Sequence, residues 1–414
     1  MDACAQPGLL PVADAIAKML IAITPITVVE TVPLHQALDR VLAEDIYSKI
    51  NVPGHHNSAM DGYALRHADA NLTSLLRLAG TSLAGHPFQA EINPGECVRI
   101  MTGAVLPANA DTVIMQEQVT LSDGKLQLNK IPEPGENIRR AGEDIAINSL
   151  VLETGKRLTP LDIGLLASLG IFELRVFERV RVAIFSTGDE LKPLDQTLRA
   201  GEIYDSNRPT LMALLARLNV EVFDIGLIAD DPLKISAAFQ SAITKADVVI
   251  SSGGVSVGEA DYTKDVLATL GKINFWKVAM KPGKPFAFGL LNSGRDKSGW
   301  FFGLPGNPVS AVVTYHQLVL PALRHLAGEK VEPPLTLTVT AQSYFKKQRG
   351  RADYQRGSLL NSKDENLVAS TGNQSSGVLS SMARANCYIL LEQERGAVGK
   401  GEKVQVVPFD RFIT

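Results

Sequence analysis

The stretch of the chain richest in potential chemistry is Ala246 to Asp265, A-D-V-V-I-S-S-G-G-V-S-V-G-E-A-D-Y-T-K-D. Val248, Val249 and Ile250 are apolar and all β-branched, the signature of a short buried strand. Ser251, Ser252, Gly253 and Gly254 follow, and helical spacing resumes near Asp261. Glycines let backbone N–H groups come close to a ligand. A strand, a glycine-rich turn and a helix start together suit an anion. Glu259 and Asp261 lie in the same stretch, where they would repel a bare anion. Their presence makes sense if the anion arrives with a divalent metal. Taken alone, the stretch reads equally well as a plain strand-to-helix turn with a capping acid.

Other polar clusters share this setting. Ser186-Thr187-Gly188-Asp189-Glu190 follows one apolar run, and Gly303-Leu304-Pro305-Gly306-Asn307-Pro308 ends another. Asp205-Ser206-Asn207 and Asp230-Asp231-Pro232 each precede helical spacing, and either could simply cap a helix. Parallel sheets collect ligands at the carboxyl ends of their strands, so the clusters converge on one edge. Lys277, Lys281 and Lys284 lie in W-K-V-A-M-K-P-G-K-P. Alternation places Lys277 and Lys281 on one side of a strand, either as guards of a sheet edge or as phosphate contacts. Lysines facing carboxylates suit a polyanion bound with Mg²⁺. A third set, Asp61-Gly62, Thr102-Gly103 and Arg139 to Asp144, lies far upstream, where simple turns would also explain it. There is no G-x-G-x-x-G after a strand and no G-x-x-x-x-G-K-[ST], which argues against a nicotinamide site and a P-loop.

The elements that would position these residues follow from periodicity. Val12, Ile16, Met19, Leu20 and Ile23 predict a first amphipathic helix, and Leu34, Ala37, Leu38, Val41 and Leu42 a second. Between about 51 and 144, short alternating runs broken by Gly and Pro predict a small all-β unit. Thr159-Pro160 opens another helix, with Asp162 in its first turn and Gly170 beyond its end. Strand and helix alternate over 180–328, a parallel α/β unit. Residues 335–339, 388–391 and 404–407 predict strands of a final β unit. The expected organisation is thus a helical stalk (1–50 and 145–179), an inserted β-rich domain (51–144), an α/β domain (180–328) and a C-terminal β domain (329–414).

Composition sets the outer limits. The chain has 414 residues, a formal net charge of −3 and 21% charged residues. That gives no general attraction to nucleic acid. No apolar run approaches a membrane span, and no basic residue precedes Lys18, so a cytoplasmic protein without a signal peptide is expected. Cys4, Cys97 and Cys387 are scattered and odd in number, which suggests neither a zinc site nor a disulfide framework.

Seven motifs in order carry a family resemblance: S-A-M-D-G-Y-A, M-T-G-A-V-L-P, F-S-T-G-D-E-L, D-S-N, S-S-G-G-V-S-V-G-E-A-D-Y, K-P-G-K-P and G-L-P-G-N-P-V-S. Together with G-R-A-D-Y-Q-R-G and S-S-G-V-L-S-S-M-A-R-A-N near the end, they resemble the molybdopterin molybdenumtransferases, relatives of the E domain of gephyrin. The resemblance implies an elongated homodimer that takes adenylylated molybdopterin and molybdate, needs Mg²⁺ and releases AMP. It also implies contact with the molybdopterin adenylyltransferase and with cofactor-accepting proteins. Carried over by motif, Glu190, Asp230 and Asp261 are the acids of the site and its metal ligands, and Asp61, Thr102 and Asp144 join them as catalytic residues. Substrate contacts fall to Lys277, Lys281, Arg139, Ser206, Gly253, Gly254, Ser256, Pro305, Asn307, Pro308, Arg351 and Ser376. Motif alignment favours Asp230 but leaves Asp231 open. An adenylyltransferase acting one step earlier and a non-enzymatic scaffold remain as alternatives.

Overall fold

The computed structural model describes residues 8–254, 262–292, 298–361 and 365–412. At its centre is a six-stranded sheet in the order Glu221–Ile228, Arg181–Thr187, Val248–Ser252, Ser298–Leu304, Pro285–Asn292, Gly271–Lys277. The first four strands run parallel, and the last two extend the sheet by antiparallel pairing. Alternate residues of each strand enter opposite cores. Val182, Ile184, Val248 and Ile250 meet Leu211, Leu214 and Leu215 of helix Asn207–Arg217. Ala183, Phe185, Val249 and Phe301 meet Ile235, Phe239 and Ala242 of helix Pro232–Lys245. Burial on both faces explains why these strands read as unbroken apolar runs.

Helix Val12–Ala22 puts Ala15 and Met19 into the same core as the α/β sheet, beside helix Leu320–Leu326. The second amphipathic helix expected at 34–42 does not form. Leu34–Gln36 is a single 3₁₀ turn. Asp39 then adopts φ 62°, and Val41 and Leu42 bridge to Arg157 and Val176. Ala37, Val41 and Leu42 are buried by tertiary pairing, which outweighs local spacing, while Leu38 stays exposed. The stalk segments instead form two short antiparallel pairs, Val29–Pro33 with Glu173–Phe177 and Ile46–Tyr47 with Leu150–Leu152, plus helix Pro160–Ser168. Thr159 caps that helix in a reciprocal box with Asp162.

The inserted unit is a six-stranded sheet, running from Thr112–Met115 at one edge to Val119–Ser122 at the other. The C-terminal unit is a closed ring of five strands, because Ala352–Asn361 pairs both with Asn366–Ser370 and with Cys387–Leu391. Two of these five, Ala352–Asn361 and Asn366–Ser370, carry no clear apolar alternation. Asp353, Gln355 and Arg356 are buried inside the first of them, and each has hydrogen-bond partners there.

One short strand joins two units. Met280–Lys281 leaves the α/β sheet and pairs in parallel with Ala352 and Asp353 of the ring. This corrects the expectation that Lys277 and Lys281 share one strand face. Lys277 ends the edge strand of the α/β sheet, opposite Pro285, whereas Lys281 belongs to the C-terminal sheet.

Candidate functional site

The carboxyl ends of the parallel strands open into a cleft of about 810 Å³. Glu190, Asp230, Ser206, Gly253, Gly254, Pro305, Asn307 and Pro308 all line it. Close packing of loops explains the glycines. Gly253 has φ +90°, and a Cβ there would lie 2.6 Å from the Thr187 carbonyl oxygen; Gly254 has φ +65°, and a Cβ would lie 2.3 Å from Thr263 Oγ1. Only glycine lets the turn approach the neighbouring strand end this closely.

Asn207 ties three of the loops together. Its Nδ2 donates to Ser252 Oγ at 2.8 Å and to the Gly306 carbonyl at 2.7 Å. Asp205 is buried and accepts from Ser186 Oγ at 3.2 Å and from Arg208 Nε at 3.0 Å. Thr187 Oγ1 is buried at the cleft without a protein partner. A buried hydroxyl left in this state is open to a ligand or water.

The two neighbouring acids at the helix start have separate tasks. Asp231 caps helix Pro232–Lys245, accepting from the N–H groups of Leu233 at 2.8 Å and Lys234 at 3.2 Å. Asp230 lines the cleft, and its N–H donates to Asp189 Oδ1 at 3.1 Å. Partial burial, then the charge of Asp189 and that of Glu190, pushes the Asp230 carboxyl above its ordinary range. The residue is largely exposed, so solvent screens the effect. Burial comes first among these causes, and the two neighbouring acids add to it.

A second pocket, of about 580 Å³, lies across the seam between the α/β and C-terminal units, and Lys281 and Arg351 line it. The loop around Ser376 runs between the two pockets. Ser375 lines the basic one and Gly377 the cleft, while the Ser376 carbonyl accepts from Val309 N–H at 3.1 Å. Lys277 lines neither; it faces a shallower hollow with Lys18 and Trp276.

The inserted unit holds its own residues apart. The N–H and Oγ1 of Thr102 donate to Asp61 Oδ1 at 2.7 and 2.8 Å. These two bonds, the backbone one first, hold the Asp61 carboxyl below its ordinary range. Arg139 and Asp144 line a hollow of about 510 Å³ with Asn57. Ser256 and Asp261 lie outside the described residues. Among the described residues, no group of three or more His, Cys, Asp and Glu side chains forms a ready-made metal site.

Known families match nearly the whole chain. Residues 10–170 match the model of the MoeA N-terminal region (domain I and II), 183–325 a probable molybdopterin binding domain, and 338–409 the MoeA C-terminal region (domain IV). A molybdopterin molybdenumtransferase from Haemophilus influenzae is 48% identical over 98% of this chain and 100% of its own length. The chain belongs to the molybdopterin molybdenumtransferase family. By that membership it is a transferase of molybdenum-cofactor biosynthesis. A second relative of that name, from a Nostoc species, is 36% identical over 91% of this chain and 88% of its own length. Gephyrin from Dictyostelium discoideum is 33% identical over 91% of this chain and 59% of its own length. The solved structure of a molybdopterin biosynthesis MoeA protein from Pyrococcus horikoshii superposes with a TM-score of 0.83 at 28% identity, covering 97% of this chain and 100% of the other.

For a molybdopterin molybdenumtransferase, this geometry adds residues that sequence motifs alone do not single out. Thr187 and Asp189 sit inside F-S-T-G-D-E-L, but only packing shows that one hydroxyl is unpartnered and that one carboxylate presses on Asp230. Asn207 reads as a helix cap from sequence, yet it is the first helical residue, with Ser206 at the cap position, and serves as the tie between loops. Among the described residues no helix is long and apolar enough to cross a membrane.

Proposed function

We propose that this enzyme inserts molybdenum from molybdate into adenylylated molybdopterin, cleaving the adenylate and releasing AMP, and that it works as a cytoplasmic homodimer. The observation that carries the proposal is the strand-end cleft: it gathers Glu190 and Asp230, a glycine turn and an unpartnered Thr187 hydroxyl, with a basic pocket next door. Molybdate is a tetrahedral dianion and needs cationic donors rather than covalent protein chemistry. Lys281 and Arg351 supply them in the basic pocket. The nucleotide phosphates fit the glycine turn at Gly253 and Gly254, beside the unpartnered Thr187 hydroxyl.

The acids suit Mg²⁺. Asp230 and Glu190 offer hard oxygen ligands, and a divalent cation would offset both the partial burial and the neighbouring negative charge that raise the Asp230 carboxyl. Mg²⁺ is commonly held by one or two carboxylates plus substrate phosphates and water, so a complete protein cage is not required. Asp261 would complete the set. When bound, the ion would neutralise charge developing on the phosphates. The residues of this chain then position the anhydride, exclude bulk water and hold the nucleophilic water near the acids. The dithiolene of the pterin replaces oxo groups on molybdenum, so the protein itself forms no covalent bond.

Asp61, Thr102, Arg139 and Asp144 enter as the contribution of a second subunit, whose inserted unit reaches the cleft. Lys277 lines neither pocket, but Pro285, its partner across the strand pair, lines the cleft, so Lys277 fits an electrostatic contribution from the cleft's margin. The test is incubation with adenylylated molybdopterin, molybdate and Mg²⁺, following AMP. Molybdate-dependent AMP release supports the proposal. Consumption of ATP with metal-free molybdopterin, and no action on the adenylylated form, would assign the earlier adenylylating step instead.

A further inference from the structure

The basic pocket contains one acid. Among the described residues lining it, Lys281, Lys346, Lys347, Arg349 and Arg351 are cations, and Asp353 is the carboxylate among them. Asp353 is only 3% exposed. A carboxylate at that depth persists when it is paired and hydrogen-bonded. Its Oδ2 accepts from Lys281 Nζ at 3.2 Å and from Gln355 Nε2 at 3.1 Å. The Gln355 amide also donates to the Lys346 carbonyl at 2.9 Å, which ties the carboxylate to the loop carrying the other cations.

The pairing crosses a domain seam. Lys281 comes from the α/β segment and Asp353 from the C-terminal ring, and the two stand opposite each other in the parallel strand pair. The Lys281 side chain remains 47% exposed. One side of its ammonium is therefore held by Asp353 while the rest of the side chain lines the pocket. Lys347 feels the charge of the same acid. It is buried, with Nζ donating to the carbonyls of Gln348, Gln393 and Arg395 at 3.3, 3.2 and 2.7 Å. Burial lowers its proton affinity, and Asp353 is the foremost charge opposing that effect.

We propose that Asp353 is a positioning residue for the transfer reaction. It fixes the Lys281 ammonium at the pocket wall and, by offsetting part of the surrounding positive charge, limits how tightly the pocket holds its dianion. This rests on the proposal that Lys281 helps to hold molybdate. The physical reason lies in what the substrate must do next. Molybdate has to surrender oxo groups to the dithiolene, and energy spent on tight ground-state binding lowers KM without raising kcat. An ammonium already anchored loses little freedom when the anion arrives.

The experiment measures molybdate binding by calorimetry, and kcat and KM by AMP release, in the full-length protein and three variants. Lys281→Gln should weaken molybdate binding at least tenfold. Asp353→Asn should tighten it about three- to tenfold, because a charge of like sign leaves the neighbourhood of the dianion. In that variant the molybdate KM falls and kcat falls about tenfold. In the double variant the kcat loss from Asp353→Asn should disappear, since the residue acts through Lys281. Asp353→Ser carries the same expected direction and replaces the Asn variant if that one does not fold. A merely structural Asp353 would weaken binding and turnover together. If Asp353→Asn binds molybdate as weakly as or no better than wild type while Lys281→Gln is defective, the proposal alone is overturned. If Lys281→Gln binds molybdate as wild type does, the assignment of the anion to this pocket falls, and the proposal with it.

Discussion

Asp230 carries its charge where the fold makes that charge unfavourable. Its carboxyl is raised in the folded state by partial burial and by Asp189, so folding favours the protonated form. The stability consequence follows from linkage. Below the ordinary aspartate value of about 3.9, the group is protonated in both states and contributes nothing against folding. As pH rises through the raised value the penalty appears, and it stays at neutral pH. Asp230→Asn should therefore melt slightly above wild type at pH 7, with the gap closing at pH values below about 4. Thermal melts across pH check this. Mg²⁺ should raise the melting temperature of wild type more than that of Asp230→Asn. An equal response would detach the ion from this acid. Sequence alone cannot separate Asp230 from Asp231, since both precede the same helix. The three-dimensional distinction is simple: one carboxylate is occupied by helix N–H groups and the other faces the cleft.

The turn after strand Val248–Ser252 is the element on which the cleft depends. Gly253 has a left-handed backbone, and any Cβ would press on the Thr187 carbonyl. Gly253→Ala should cost about 1–3 kcal/mol of stability from backbone strain alone. It should also impair nucleotide binding, because the turn moves away from the strand end; denaturant unfolding and ligand titration read the two effects separately. Elements governed by local rules were legible in the sequence. The Thr159 cap with Pro160 and Asp162 is one, and the strand, glycine turn and helix at Val248 onward are another. Elements governed by distant partners were not. The segment after Leu34 has helical spacing but ends as a 3₁₀ turn and two β-bridges. Strand Ala352–Asn361 hides its nature because several of its buried residues are polar, with hydrogen-bond partners mostly on other segments. The lysine run misleads for the same reason: its second half joins a sheet formed by a segment some 70 residues later, as the pairing of Lys281 with Asp353 shows.

At the scale of the whole molecule, the acidic cleft and the basic pocket meet at the loop around Ser376, contributed by the last unit to a site centred on the third. Such a composite cannot be read from any single motif. The inserted unit holds Asp61, Thr102, Arg139 and Asp144 apart from the cleft, which is why a two-fold dimer is the arrangement proposed for the complete site. Complementation tests it. Asp61→Ala and Glu190→Ala, each inactive alone, are unfolded, mixed and reassociated. Shared sites predict that about half the dimers are mixed and roughly a quarter of sites recover. Verified subunit exchange without recovered activity would rule out sharing. The central claim, that the strand-end cleft carries out the cleavage, is tested most directly by single-turnover AMP release from enzyme-bound adenylylated molybdopterin with molybdate and Mg²⁺, comparing wild type with Glu190→Gln. The account predicts that the variant folds and binds the nucleotide but releases AMP on the order of 100-fold more slowly. A variant that binds the nucleotide and releases AMP at the wild-type rate would contradict it.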